Sequence, residues 1–236
     1  SKVDKIAAEK GMSRNKLVNK IIEKYKLPKK IYQNSLNNIG IVYEQMGERE
    51  KATQFAIKLI NYQEKNNLKP LKPGPYSQLG NNLKFYKKYD EALIYFNKAL
   101  SIETELKNLS GMAICENNIG NLYDDLKKNK EAIIHYEKGL GYAESANYKL
   151  LQTDLLTNAG RLYQKEKNYA KAEKYLKKSE VISRELEATQ SLKSVCGNLG
   201  DLYFFQKKYD LSEKYYQEAL ALAKEIEDQE NLYIAQ

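Results

Sequence analysis

A forty-residue period runs through almost the whole chain. Glycine recurs without slippage, a large side chain stands three residues after each glycine, and a small side chain stands twelve residues after it. A fixed period of this length indicates a stack of similar units rather than an ordinary globular domain. The five glycines are Gly40, Gly80, Gly120, Gly160 and Gly200.

The third repeat shows what one unit folds into. Residues 110–126 carry apolar side chains at helical spacing, and so do residues 130–146, which predicts two amphipathic helices, A and B, joined by the polar turn 127–129. Neither helix can bury its apolar face alone, so we expect A to pair with B and the pairs to stack. Small residues on both helices allow their axes to approach closely. This explains a mid-helix glycine, which costs ~1 kcal/mol relative to alanine.

The glycine and alanine positions, with Leu/Ile-Gly-x-Leu-Tyr on helix A and Tyr-x-Glu-Ala-x-x-x-Tyr/Phe on helix B, resemble the tetratricopeptide repeat. That repeat usually has about 34 residues. The longer form is similar to repeats of kinesin light chains, of polarity adaptors that bind GoLoco motifs, and of bacterial Rap proteins and sensor kinases. The resemblance covers residues 31–236, although the usual helix A tryptophan is absent. It implies an all-α, right-handed solenoid whose helices A line a concave groove.

The period also predicts the boundaries of the repeats. Three prolines between residues 69 and 75 predict a shortened or displaced helix A in the second repeat. After the fifth repeat a further helix is expected to begin at residue 229 and reach 236, either as a short cap or as the start of another repeat. The five repeats are expected at about residues 31–68, 73–108, 110–147, 150–187 and 190–227.

Residues 1–30 form a separate, basic segment. They hold ten Lys/Arg and three Asp/Glu, and therefore +7 of the formal net charge of +8. We expect a helical hairpin in which Gly11 ends the first helix and Ser13 caps the second. The stretch from Val3 to Tyr25 resembles the two helices of ribbon-helix-helix repressors, and its charge suits phosphate contacts. No base-reading strand precedes it here, so we favour a basic cap over nucleic-acid binding.

Residues for catalysis or metal binding are scarce. His135 is the only histidine and occupies a helix B position that is aromatic in the other repeats, so we expect it to pack. One histidine and two cysteines about eighty residues apart, Cys115 and Cys196, cannot supply a four-ligand zinc site. The glycines lie mid-helix and form no phosphate loop. The sequence therefore predicts no enzyme, metal or cofactor.

The same composition indicates where the protein works. No apolar run approaches the ~18 residues of a membrane span. Cys115 and Cys196 should lie too far apart for a disulfide, and reduced thiols are typical of a cytoplasmic protein.

A carboxamide stands two residues before each glycine, on helix A. Side-chain amides both donate and accept hydrogen bonds, so such a column suits the backbone of an extended peptide. Similar asparagines line the groove in the kinesin light chain and polarity-adaptor families, and the resemblance implies the same use here. The alternative is that the amides bond between neighbouring helices and brace the stack. The five residues are Asn38, Gln78, Asn118, Asn158 and Asn198.

Residues one, four and five places after each glycine should select the ligand. They are acidic in the third repeat, basic in the fourth and aromatic in the fifth, so the groove is expected to run from acidic to basic to apolar. We predict a non-catalytic protein- or peptide-binding scaffold. The alternative is a ligand-sensing region of a bacterial transcriptional or signalling regulator. The selecting residues are Asn121, Asp124, Asp125, Arg161, Lys165, Asp201, Phe204 and Phe205.

Overall fold

The computed structural model describes residues 8, 9, 11, 29–69 and 71–234. In this part of the chain ten α-helices follow one another and no strand occurs. The chain divides into an N-terminal unit, residues 1–82, and a C-terminal unit, residues 83–236. Both consist of helices that pair and stack, which confirms the predicted all-α solenoid class.

The helices alternate as A and B through five repeats. In the third repeat both helices begin one residue earlier than predicted. Helices A are α1 (Lys29–Gln45), α3 (Gly74–Phe85), α5 (Leu109–Asp125), α7 (Lys149–Lys165) and α9 (Thr189–Phe205). Helices B are α2 (Arg49–Lys65), α4 (Tyr89–Glu105), α6 (Asn129–Ser145), α8 (Tyr169–Glu185) and α10 (Tyr209–Ile234).

The turn from helix A to helix B places one residue in the left-handed region. Gly47 has a φ of 74° in the first repeat, and lysines take its place in the other four. In the third repeat Lys127 has a φ of 61°, and the following N–H, of Lys128, bonds to the Tyr123 carbonyl at 2.9 Å. This bond closes the helix end as in a Schellman motif. The other lysines are Lys87, Lys167 and Lys207.

The second repeat begins with a shortened helix A, as its prolines indicate. Helix α3 has 12 residues, whereas α1 has 17. The Pro73 carbonyl accepts the N–H groups of Tyr76 and Ser77 at 3.0 and 3.1 Å. Pro75 lies in the first turn, where its missing N–H leaves no helical bond unmade. The prolines therefore fix the start of the helix.

In the third, fourth and fifth repeats the recurring glycine lies at a close contact between helices A and B. A Cβ atom added to Gly120 would lie 2.6 Å from the ring of Tyr136, and one added to Gly160 would lie 2.8 Å from Leu176. The side chain that packs over each of these glycines thus belongs to the residue sixteen positions later in the sequence. The small residue twelve places on, such as Ala132, is fully buried beside this contact.

Two apolar clusters form the core of the C-terminal unit; the smaller one joins Ala92 and Phe96 of α4 to Ile119 and Leu122 of α5. The other has more members. It extends from Ala113 in α5 to Tyr215 in α10. Cys115 and Cys196 are both buried, and neither forms a disulfide bond. No helix among the described residues has the length and apolar character that crossing a membrane requires.

The last helix is longer than the repeat predicts. Helix α10 runs without a break from Tyr209 to Ile234, where a new helix was expected to begin at residue 229. At the equivalent place in the preceding repeat Glu187 has a φ of 52° and ends the helix. Residues 225–230 are mainly Glu, Asp and Gln, and good helix formers such as Glu and Gln favour continuation of the helix. The chain therefore extends helix B at this point.

The predicted basic hairpin of residues 1–30 lies mostly outside the described residues. Within it Ala8 and Glu9 are helical. Gly11 has a φ of 59° and donates its N–H to the Ala8 carbonyl at 3.0 Å, which agrees with a helix end at this glycine.

Candidate functional site

One stripe of each helix A remains open to solvent in the C-terminal unit. On α7 the buried residues leave an outward line at spacings of four, three and four residues. We call the three lines on α5, α7 and α9 the helix A face. Its residues are Ile114, Asn118, Asn121 and Asp125 on α5, Asp154, Asn158, Arg161 and Lys165 on α7, and Ser194, Asn198, Asp201 and Phe205 on α9.

Ion pairs show that neighbouring stripes adjoin. Asp124 of α5 pairs with both Arg161 and Lys165 of α7, the latter with 3.7 Å between Oδ1 and Nζ. Asp125 pairs with Lys84 at the end of α3, with 3.5 Å between Oδ2 and Nζ. The lines on α5 and α7 therefore adjoin, and α7 also packs directly against α9.

The predicted amides differ in their hydrogen bonding. Within the described residues, the half-buried side chains of Asn118 and Asn158 have no hydrogen-bond partner. Asn198 donates to the Ser194 carbonyl of its own helix at 2.8 Å. In the N-terminal unit Asn38 is exposed, and only Gln78 bonds to a neighbouring helix, at 2.7 Å from Glu44. The amides on the helix A face thus do not brace the stack.

The acidic-to-basic gradient of the third and fourth repeats remains a prediction, but its charges are engaged with one another. Asp124 pairs with Arg161 and Lys165 of the next helix A, and Asp125 pairs with Lys84. Asn121 accepts the hydroxyl hydrogen of Tyr136 at 2.8 Å, so part of its bonding capacity is also used internally. Sequence spacing placed these residues but could not show that they meet each other.

The fifth repeat ends the face with aromatic side chains. Phe204 and Phe205 are 54% and 60% exposed, and their rings meet edge to face with centroids 6.0 Å apart. Tyr209 lies edge to face against Phe204 at 5.9 Å. A hollow of about 480 Å³ opens beside them, with Tyr216 and Leu220 in its lining. Exposed aromatic clusters of this kind are typical of binding surfaces.

Asp154 is a residue of the face that the sequence analysis missed. It stands four residues before Asn158, on the same open stripe, and no ion pair or hydrogen bond reaches its carboxylate from the described residues. Desolvation by the surrounding helices raises the pKa of Asp154. The signal was available, since extending the stripe one turn toward the helix start reaches this position.

His135 has a structural place away from the helix A face. Its ring stacks on Tyr123 with centroids 5.2 Å apart, and its Nδ1 lies 2.6 Å from Oε2 of the buried Glu116. The histidine packs as predicted and also serves as hydrogen-bond partner of a carboxylate. In the described part of the chain, no group of three potential His, Cys, Asp or Glu ligands is arranged to hold a metal.

Comparison with known families decides the family of these helix pairs. Models described as "tetratricopeptide repeat" match residues 33–66, 75–145 and 151–225. The chain belongs to the tetratricopeptide repeat family. No curated protein sequence matches the chain significantly.

Solved tetratricopeptide repeat structures share the fold at low identity. BtubC from P. vanneervenii has a TM-score of 0.74 at 16% identity, over 90% of this chain and 87% of that one. The apo form of RapI has a TM-score of 0.65 at 19% identity, over 91% of each chain. A Rap protein complexed with competence and sporulation factor has a TM-score of 0.64 at 16% identity, over 92% and 70%. The predicted likeness to Rap proteins is confirmed at the level of the fold.

Proposed function

We propose that this tetratricopeptide repeat chain is a non-catalytic scaffold that binds a peptide or an extended protein segment on the helix A face. The observation that carries the proposal is a pair of amides, Asn118 and Asn158, that have no hydrogen-bond partner among the described residues. Both are half-buried at the same position of neighbouring helices. Neither belongs to the buried polar atoms, so both amides can bond to a ligand in place of water. A peptide backbone offers the alternating donors and acceptors that two amides require.

The spacing of the helices suits an extended ligand. Neighbouring helix axes lie about 8–10 Å apart, and an extended chain advances about 3.3 Å per residue. Asn118 and Asn158 would therefore meet the backbone at about every third residue. Backbone recognition of this kind gives affinity, while the side chains between the contacts give specificity.

Two further observations support the proposal: the place of the single histidine bears on the lack of catalysis, and the cysteines bear on a cytoplasmic location. His135 is engaged by Glu116 and Tyr123, so the single histidine is not displayed to a substrate on the helix A face. Cys115 and Cys196 are buried thiols without a disulfide bond, which fits a reducing compartment.

The proposal is tested by comparing amide variants in a binding assay. The full chain is immobilised and its partners are captured from a displayed library of random peptides. We expect a triple variant, Asn118→Ala, Asn158→Ala and Asn198→Ala, to lose at least about tenfold in affinity for the selected peptides, since several hydrogen bonds of about 1 kcal/mol each are removed.

A matched control separates binding from folding. Asn97 lies exposed on helix B of the second repeat, off the helix A face. Asn97→Ala should bind like the wild type. Equal affinity of the triple variant and the wild type, with both folded by circular dichroism, would remove the amides from the site.

A second candidate is a ligand-sensing region of a bacterial regulator. The observation that favours it is the shared fold of the Rap protein solved with competence and sporulation factor. A sensor must change shape when it binds, because a ligand that interacts equally with both states shifts no equilibrium. A change in the small-angle scattering curve on addition of a selected peptide would favour the sensor, and an unchanged curve would favour the rigid scaffold.

A further inference from the structure

We infer that the segment bound on the helix A face carries a basic side chain that pairs with Asp154 and, about six residues away, an apolar or aromatic side chain that packs on Phe204 and Phe205. The inference rests on the proposed function and names the chemistry of its partner. Three features of the helix A face lead to it: its ion pairs, the surroundings of Asp154, and the position of the aromatic pair.

The cations of the face are already paired. Arg161 and Lys165 share the one carboxylate of Asp124, and Lys84 has that of Asp125. A ligand carboxylate would have to compete with Asp124 or Asp125 for these cations, so an acidic partner fits the face less well than a basic one.

Two carboxylates of the face remain without a cation in the part of the chain that the structure describes. Asp154 has neither an ion pair nor a hydrogen bond. Asp201 accepts only the hydroxyl hydrogen of Tyr216, at 2.5 Å. With Asp124 and Lys84 included, this surface holds four carboxylates and three cations, so its net charge is negative, which is complementary to a basic side chain.

Asp154 is the better site of the two for a cation. Asp201 already has a hydrogen-bond donor, whereas Asp154 has none among the described residues. Asp154 is exposed and therefore reachable, yet the walls of the face desolvate its carboxylate and raise its pKa. A Lys or Arg side chain of the ligand would donate hydrogen bonds to the Asp154 carboxylate in place of the missing water. Such charge-assisted hydrogen bonds are stronger than those between neutral groups.

The aromatic pair fixes the second anchor and its distance. By the forty-residue period, Phe205 of α9 is equivalent to residue 165 of α7, which lies eleven residues after Asp154. A rise of about 1.5 Å per residue gives about 16 Å along the axis, and the neighbouring axis adds about 9 Å sideways. The anchors are thus about 19 Å apart, which an extended peptide spans in about six residues.

The test is selection of peptides from a displayed random library on the full chain. The wild type should enrich peptides with Lys or Arg, and with an aromatic or aliphatic residue about six positions away. Asp154→Asn should remove the basic preference alone and weaken wild-type-selected peptides about tenfold. The double variant Phe204→Ala, Phe205→Ala should remove the apolar preference alone. Asp154→Lys should enrich an acidic residue in place of the basic one.

The controls keep the two proposals separable. Asp90 is on helix B of the second repeat, away from the helix A face, and Asp90→Asn should select the same peptides as the wild type. If the wild type enriches peptides without a basic preference, or Asp154→Asn selects the same peptides, the inference is overturned. The proposed function then still stands on the loss of binding in the amide variant. If the folded wild type enriches no peptide, both are overturned.

Discussion

At Gly120 the packing leaves no room for a side chain. The ring of Tyr136 is fully buried and its Cε1 would lie 2.6 Å from an added Cβ. The hydroxyl of the same ring donates to Asn121, one residue along α5, and so holds the ring over the glycine. Because the ring is fixed at both ends, neither helix can adjust at little cost.

Gly120→Ala should therefore destabilise the protein, although alanine is the better helix former. We expect a loss of about 1–3 kcal/mol in the free energy of unfolding, as for other overpacked cores. Gly141 on α6 is the matched control, since an added Cβ there meets nothing within 4 Å. Gly141→Ala should stabilise by ~0.5–1 kcal/mol. Chemical denaturation of both variants is the measurement, and a shift in the same direction would contradict the packing argument.

Between elements, a network of ion pairs connects α8 with α10 at a position where earlier repeats have apolar side chains. Glu180 occupies a helix B position that holds Leu100 and Leu140 in earlier repeats. Its buried carboxylate pairs with Lys177 and Arg184 at 3.0 and 2.9 Å. Arg184 also reaches Glu218 of α10 at 2.6 Å, so the network ties the two helices B together.

This ion-pair network should make the stability of the protein depend on pH. Burial alone raises the pKa of Glu180, but the hydrogen bonds and charges of Arg184 and Lys177 outweigh it and hold the pKa below its ordinary value. A depressed pKa gives stability that is present above the ordinary value of about 4.3 and is lost as the pH falls through the lowered value. Glu180→Gln should lower the free energy of unfolding by about 1–2 kcal/mol at pH 7. Its stability should also fall less steeply below about pH 4.3 than that of the wild type.

Denaturation between about pH 7 and about pH 3 checks this dependence. Glu105 lies exposed at the end of α4 and takes part in no ion pair among the described residues. Glu105→Gln is expected to keep the wild-type slope. If the free energy of unfolding of Glu180→Gln changes with pH as steeply as that of the wild type, titration of Glu180 does not contribute to the pH dependence.

For the whole molecule, the C-terminal unit should be able to fold without residues 1–72. One apolar cluster runs from Ala113 to Tyr215 and a smaller one joins α4 to α5. Repeat stacks are stabilised mainly by such contacts between neighbouring repeats. A fragment of residues 73–236 keeps α3 from its proline start and all the helices that follow it. We expect it to be helical by circular dichroism, to unfold cooperatively, and to bind the selected peptides within about threefold of the full chain's affinity.

A truncation that cuts a helix is the control. A fragment beginning at residue 115 removes the first part of α5, whose buried Ala113 belongs to the same cluster. It should be less stable than the longer fragment. If the fragment 73–236 is unfolded while the full chain is folded, the C-terminal unit depends on residues outside it.

The sequence by itself determined the phase and pairing of the helices in the five repeats, although it did not predict the extension of α10. The forty-residue period requires the same buried positions in every repeat, and helical spacing is a local property that no distant contact has to supply. It also located the amides of Asn118 and Asn158 and the aromatic pair of Phe204 and Phe205. The positive φ of Lys127 was not predictable, because lysine is not a residue that signals a left-handed turn.

Only the tertiary structure decided how the polar residues of the face are used. Asp124 of one helix meets Arg161 and Lys165 of another, about forty positions away in sequence, so charges that spacing had assigned to a ligand also bind each other. The same structure leaves Asp154 without a cation in the described part of the chain. Periodicity fixes which face of a helix a side chain occupies, but which side chains meet depends on how neighbouring helices stack, and that is a property of the packed molecule.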